Sequence, residues 1–440
     1  VYCVSIIDIS CIMKITNKLR FFDITMMVIS LVIGMGIFRA PATVALRAGN
    51  ETLFYAAWIL GGIIAMCGAL GFAAIGRRMP VSGAYYRIFA QAFHPSIAFA
   101  INILILVSNA ASSAGVAIIG AEYISAYFPG VHTSILASIM IIALFGVNLL
   151  GLRTSANVQN ILIGIKVIML LCVISAIGIV PEMQSTAPLI HNQGLMESFG
   201  LALIAVSFTY GGYQQTINFG GDIVDKGNTL PKAIILGVII IISLYLCANA
   251  AYVHVIGFSQ LAQAKSIAAI VVQSLFGNAG SLLLSAVLVI SVFGYINVSM
   301  LSNPRVLQAM SEDGVLPKTW AKSKADKGVH VFALIIFTLL SIICVFAGKS
   351  FETILNYTIF LDSIGLAVGI STLYRLKGEK ISPLIHAATG FFIMSCLYTS
   401  CNIFIFDTQA GLYGSALFAA IFICGWFITK KSNVLTHHNV

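Results

Sequence analysis

The feature that most constrains this chain is a recurrence of apolar runs about 20 residues long, the length an α-helix needs to cross roughly 30 Å of hydrocarbon. They fall near 24–46, 53–76, 96–127, 133–150, 157–180, 197–220, 231–257, 280–309, 329–347, 351–376, 382–404 and 410–429. The stretch 259–278 is amphipathic and reads as a surface or re-entrant helix. Within a bilayer the backbone must satisfy its own hydrogen bonds, so runs of this length are helices. Composition agrees: 59% of residues are hydrophobic and 9% charged, with a mean hydropathy of +0.99. The expectation is an all-α polytopic membrane protein with twelve transmembrane helices, forming one membrane domain over residues 1–440.

Charge then sets orientation, because Lys and Arg collect in cytoplasmic loops. With the N-terminus inside, Lys14, Lys18, Arg20, Arg77, Arg78, Arg87, Arg153, Arg305 and most of the remaining Lys and Arg fall on the cytoplasmic side, and both termini are cytoplasmic. The net charge of +9 is therefore a topology signal, and no nucleic-acid partner is expected. The cysteines show no metal-ligand spacing and sit mostly in apolar runs, so neither metal nor cofactor is expected. The opening VYCVSIIDISCI contrasts with the MKITNKLRFFDI that follows. Met13 reads as the initiator, with residues 1–12 an upstream extension of the gene model.

The first run contains VIGMGIF, with Gly34 and Gly36 where each glycine costs about 1 kcal/mol relative to alanine. The sixth contains FTYGGY, with Gly211 and Gly212. Small residues often serve only as packing surfaces between membrane helices. Two such breaks five runs apart instead match transporters built from two inverted five-helix repeats whose first helices are interrupted at mid-membrane. That reading gives repeat one over 24–180, repeat two over 197–376, discontinuous helices 1 and 6, and two C-terminal helices over 382–430. Where helix 1 restarts, the amides of Met35, Gly36 and Ile37 lack helical acceptors and suit a carboxylate. Where helix 6 stops, carbonyls near Phe208 and Gly211 suit an ammonium group. A carboxylate and an ammonium on one carbon, an amino acid, fits both.

Several segments together resemble the amino acid–polyamine–organocation superfamily, most closely its L-type amino acid transporter branch. VIGMGIF resembles the family's G-S-G-I-F, GFAAIGRRMPVSGAYY its Y-A-E-L-G-x-x-x-P-x-S-G-G-x-Y, and FTYGGY its F-A-Y-G-G-W. GDIVDKGNTLPKAI, QNILIGIK and FGYINVSMLSNPRVLQAMSEDGVLP resemble its later segments, so the likeness runs from about residue 20 to 380. It implies a five-plus-five inverted repeat and alternating access around a central amino acid site. By carry-over, the substrate carboxylate meets Met35 and Gly36, the ammonium meets carbonyls of Val32, Phe208 and Gly211 beside Gly212, and Phe208 is the gating aromatic. Met35 stands where the family has Ser, Ala74 where it has Glu, and Tyr213 where it has Trp. The loop between spans 3 and 4 lacks the cysteine by which animal relatives join a single-span partner, so no disulfide-linked subunit is expected.

Two ionisable residues lie inside runs. Lys166 is about ten residues into span 5, where a charge costs several kcal/mol and marks function by default. It is a candidate for exchanging a proton during the cycle, and the resemblance places it where sodium-coupled relatives hold an ion, against Gly34 and Ser291. The plain alternative is a lysine reaching to the interface. Asp362 in span 10 lies where relatives carry Asn facing the substrate side chain. It could select a cationic or polar side chain, donate a hydrogen bond when protonated, or merely pair with a neighbouring helix. Asn109, Ser112 and Ser113 share one face of span 3 and line the pocket or bond to their own helix.

The function expected is a secondary active amino acid transporter of the cell membrane, proton-coupled or exchanging. A polyamine or amine transporter of the same fold is the nearest alternative. No G-x-x-x-x-G-K-[ST] loop supplies ATP chemistry. A membrane-embedded enzyme needs a clustered nucleophile, metal set or carboxylate pair, which the chain does not offer. A channel is separated by non-saturating uptake.

Overall fold

The apolar runs become helices in the structure, a computed structural model that describes residues 18–34, 36–125, 128–183, 194–225, 227–264, 267–277, 279–321, 328–347, 351–406 and 408–431. The proposed upstream extension, Met13 and Met35 lie outside the described residues, as does the side chain of Phe208. Among the described residues the only β contacts are two isolated bridges.

The first run is split into α1 (Phe21–Val32) and α2 (Gly36–Ala48), bent by 41°. Then come α3 (Glu51–Arg78), a short α4 (Ala84–Ala92), α5 (Pro95–Ser125), α6 (Thr133–Leu149) and α7 (Leu152–Ser175). The second half comprises α8 (Leu195–Thr209), α9 (Thr229–Ile256), α10 (Phe258–Leu261), α11 (Ile267–Phe276), α12 (Ala279–Glu312), α13 (Val331–Ala347) and α14 (Phe351–Ser371). Two long helices follow, α15 (Pro383–Phe406) and α16 (Thr408–Lys431). Local signals account for several ends. Asn50 caps α3 by accepting from the Leu53 amide at 2.8 Å, and such a cap is worth about 1 kcal/mol. Before α4, Gly83 has φ 62°, and a Cβ there would lie 2.4 Å from the Arg305 carbonyl oxygen, so only glycine fits.

Among the described residues six helices are long and apolar enough to cross a membrane, and the bent α1–α2 pair makes seven. The helices α6 and α13 are apolar but have 17 residues each, about 25 Å at 1.5 Å per residue. The amphipathic stretch near 259–278 forms α10 and α11, with Ile267, Ala268, Val271 and Val272 of α11 on its buried face. One departure concerns the sixth run. After its break the chain continues as a 3-10 turn over Tyr213–Asn218 rather than as a second α-helix. Side chains of the turn bond to nearby backbone: Gln214 Oε1 accepts from Gly212 N at 2.9 Å, and Thr216 Oγ1 donates to the Tyr213 carbonyl.

Apolar side chains cover the outer surface as well as filling the core. Ile161, Ile168, Met394, Ile405 and Phe427 are each more than 60% exposed on the perimeter, while Asn148, Gln159, Lys166 and Asn297 are buried within. That is the pattern lipid imposes, and the chain is a multi-pass membrane protein. Inside, α2 packs along α8, α3 along α9, α5 along α12 and α6 along α13, so these four pairs join elements five apolar runs apart. The helices α1, α7 and α12 also touch.

One end of the bundle is tied shut by ion pairs. Asp23 of α1 accepts from Arg153 of α7 at 2.6 Å, and Arg305 of α12 donates to Asp222 at 2.6 Å. Arg87 pairs with Glu312, and Arg77 lies 3.4 Å from Glu379. The backbone adds to this closure, since Leu19 N donates to Asp222 O at 2.8 Å and Val224 N to Leu19 O at 3.2 Å.

Candidate functional site

Two chain breaks face each other across α9. At the first, α1 ends at Val32, Ile33 N still donates to Ile29 O at 2.8 Å, and Gly34 N turns back to Val32 O at 2.7 Å. Helix α2 restarts at Gly36, which leaves the amides of its first turn without intrahelical acceptors. A Cβ on Gly36 would sit 3.0 Å from Thr209 Cγ2, so glycine lets the restart approach the end of α8. At the second break, α8 stops at Thr209 and Gly212 adopts φ 117°. A Cβ on Gly212 would lie 2.3 Å from the Leu31 carbonyl oxygen, a backbone-to-backbone approach that no other residue permits.

Tyr245 of α9 joins the two breaks. Its fully buried hydroxyl lies 3.1 Å from the Val32 carbonyl and 3.4 Å from the Thr209 carbonyl. Its ring sits in an aromatic cluster with Trp58 and Tyr210, with centroids 5.1 to 6.0 Å apart, which fixes where the hydroxyl points.

A cavity of about 700 Å³ opens beside the breaks and runs away from the ion-paired end. Val32, Gly34, Gly36, Gly211 and Gly212 line its floor, with Asn109, Ser112, Gln215, Tyr295 and Asp362 around them. Arg39, Thr43 and Arg47 of α2 rise along one wall, and Thr399 and Asn402 of α15 along another. Asp362 accepts from Ser108 Oγ at 2.9 Å. Arg47 donates to the Leu201 carbonyl at 3.1 Å, tying α2 to α8.

The cavity thus gathers Val32, Gly34, Gly36, Asn109, Gly211, Gly212 and Asp362 from the residues singled out by sequence. Ile37 lies in the core, fully buried, and can offer the site only its backbone. Lys166 is away from the cavity, fully buried, and donates to the Ile33 carbonyl, one residue before Gly34. A Cβ on Gly294 of α12 would lie 3.6 Å from Lys166 Nζ, so the ammonium sits between α1 and α12. Ser291 is buried on the same helix, with its Oγ unpartnered.

Apart from Asn297, a candidate like Tyr295 in span 8, sequence reasoning missed the amide groups that hold these parts. Gln159 donates to Ser30 Oγ, Ser30 Oγ donates to the Gly294 carbonyl at 3.3 Å, and Asn297 donates to Gln159 Oε1 at 2.8 Å. Asn148 in turn donates to Asn297 Oδ1 at 2.8 Å. The available signal was Asn148, Gln159 and Asn297 standing inside apolar runs, with Gln159 two helical turns before Lys166 on the same face.

Fold and cavity define a multi-pass helical membrane protein with a largely apolar pocket, carrying a few polar side chains, at the meeting of two interrupted helices. The family model described as amino acid permease matches residues 19–433, and the chain belongs to that family. It is 26% identical to the serine/threonine exchanger SteT of Bacillus subtilis, over 88% of this chain and 93% of that protein. It is 27% identical to the large neutral amino acids transporter small subunit 2 of Mus musculus, over 83% of this chain and 72% of that protein. The human cystine/glutamate transporter is 23% identical over 83% of this chain and 74% of its own length. The chain is accordingly an amino acid transporter and not an enzyme.

Proposed function

We propose that this permease is a secondary active transporter that exchanges amino acids across the cell membrane by alternating access. It has twelve spans, five plus five in inverted repeat with two more at the C-terminus, and both termini in the cytoplasm. The observation that carries the site is the meeting of a helix restart at Gly36 with a helix stop at Thr209 on one cavity floor. The substrate α-carboxylate takes the amides of Met35, Gly36 and Ile37, and the α-ammonium takes carbonyls of Val32, Phe208 and Gly211, with Phe208 gating. Because the Val32 carbonyl already accepts from Tyr245, the ammonium displaces or shares that hydroxyl.

The packing of the first four spans on the spans five later supports the repeat. The ion-paired end, which holds Arg20, Arg77, Arg78, Arg153 and Arg305, is the cytoplasmic one by the distribution of positive charge. In this reading the cavity faces outward. Exchange is favoured by the serine/threonine exchanger among the relatives. Proton coupling is the second reading, and Lys166 on the Ile33 carbonyl is the observation that favours it. The relatives are by name amino acid exchangers and transporters, which favours an amino acid over a polyamine cargo. The loop between spans 3 and 4 contains no cysteine, which supports function without a disulfide-linked subunit.

Uptake of labelled amino acids into proteoliposomes, loaded with unlabelled amino acid or left empty, at two pH values, tests this. Exchange requires the internal load; uptake into empty vesicles that follows an imposed proton gradient means proton coupling. Saturable uptake of putrescine with no amino acid competing would overturn the substrate assignment.

A further inference from the structure

A chain of three side-chain amides ends at the cavity, and its direction is fixed from its far end. Asn303 of α12 donates its Nδ2 to the Ser299 carbonyl at 2.9 Å. A backbone carbonyl only accepts, so Asn303 turns its Oδ1 the other way. There it accepts from Asn109 Nδ2 at 2.7 Å. Asn109 must then present its own Oδ1 onward, where it accepts from Gln215 Nε2 at 2.9 Å. Gln215, in the 3-10 turn, is left with its Oε1 as the terminal group. That oxygen is buried and has no hydrogen-bond partner, in a residue only 9% exposed that lines the cavity.

A buried acceptor without a donor is costly. It becomes favourable when a ligand brings a donor, and the relay forbids Gln215 from turning its NH2 toward the ligand instead. Asp362 and its partner Ser108 lie on the same cavity, and the carboxylate is a second acceptor there.

We propose that Gln215 is a specificity-determining residue that accepts a hydrogen bond from the substrate side chain, so the permease selects amino acids whose side chains carry a hydroxyl or amide donor over apolar isosteres. Asn109 and Asn303 are positioning residues that hold the polarity of this acceptor. The inference rests on the amino acid site proposed above and specifies the side chain it takes. A pocket that leaves polar groups unpaired rejects the isostere more strongly than an apolar pocket rejects an added hydroxyl.

The test compares isosteric pairs in proteoliposomes of the full chain: L-serine against L-alanine, and L-threonine against L-valine, as competitors of L-serine uptake. The wild type should favour the hydroxylated member of each pair at least tenfold in half-inhibitory concentration. Gln215→Met, which keeps the volume, should bring that ratio to within threefold of unity. Asn303→Leu should lower the ratio as well, although Asn303 is not on the cavity wall, because Asn109 and Gln215 are then free to reverse. A ratio within one protein does not depend on how much of a variant folds. The proposal is overturned if the wild type shows no preference, or if Gln215→Met keeps it. Amino acid uptake with no isostere preference overturns this inference alone, whereas uptake of no amino acid overturns the site with it.

Discussion

Asp23→Asn should loosen the ion-paired end of the transporter without touching the cavity. The Asp23 carboxylate, with its side chain 3% exposed, accepts from Arg153 at 2.6 Å, from Asn160 Nδ2 at 2.8 Å and from the Arg20 amide at 2.9 Å. Removing one member of a buried pair costs about 3–5 kcal/mol. Arg153 is 32% exposed, and its charge can turn to water once its partner is gone, so the coulombic part must be discounted. Asparagine also keeps one acceptor and loses only the charge assistance, about 1–2 kcal/mol. We therefore expect about 2 kcal/mol less stability for the closed end, or roughly a 30-fold rise in its open population.

Hydrogen exchange reads this directly, because the Leu19 and Val224 amides are bonded across the closure to Asp222 and Leu19. Peptides covering residues 18–24 and 220–226 should exchange about 30-fold faster in Asp23→Asn, while a peptide from α5 should be unaffected. Unchanged exchange at both closing peptides would mean that Asp23 is an ordinary first-turn acid and the ion pair is ornamental. Equal acceleration everywhere would mean global destabilisation rather than opening.

Other substitutions test other links. Gly212→Ala places a Cβ 2.3 Å from the Leu31 carbonyl at φ 117°; strain of about 1–3 kcal/mol plus the clash should lower Tm in detergent and abolish uptake, and an unchanged Tm would refute the close approach. Lys166→Ala should reduce uptake and flatten its pH dependence by removing the ammonium from the Ile33 carbonyl; unchanged transport with an unchanged pH profile would sink any coupling role. Asp362→Asn should alter which amino acids compete for uptake, since its carboxylate faces the cavity; an identical competition profile would make its bond to Ser108 purely structural.

That the long apolar runs are helices could be read from the chain because lipid enforces one rule on every such run. The two breaks could be read because Gly34, Gly36, Gly211 and Gly212 carry a local cost that only a special backbone repays. What could not be read is what meets across sequence. Gln215 lies 106 residues from its partner Asn109, and Asn109 lies 194 from Asn303. In the sequence each is one amide in an apolar run; in the fold they have a direction. Asp23 had the same anonymity, since an acid in a first helical turn suits the helix dipole whether or not an arginine waits opposite. The 3-10 continuation after the second break was hidden for a different reason. The sequence QQTIN has no helix-breaking residue, and Gln214 bonding back to Gly212 redirects the backbone.

That short turn has a mechanical consequence. A 3-10 segment advances about 2.0 Å per residue and an α-helix about 1.5 Å, so the six residues Tyr213–Asn218 hold about 3 Å of extra length. Rewinding them would act like a turn of a screw, drawing the Asp222 loop and its anchor to Leu19 toward the cavity floor while rotating Gln215 relative to Asn109. If Gln215 holds the solute as proposed, that hold and the latch at the far end would be two ends of one threaded rod, and a ligand fixing Gln215 would set how far the rod can turn.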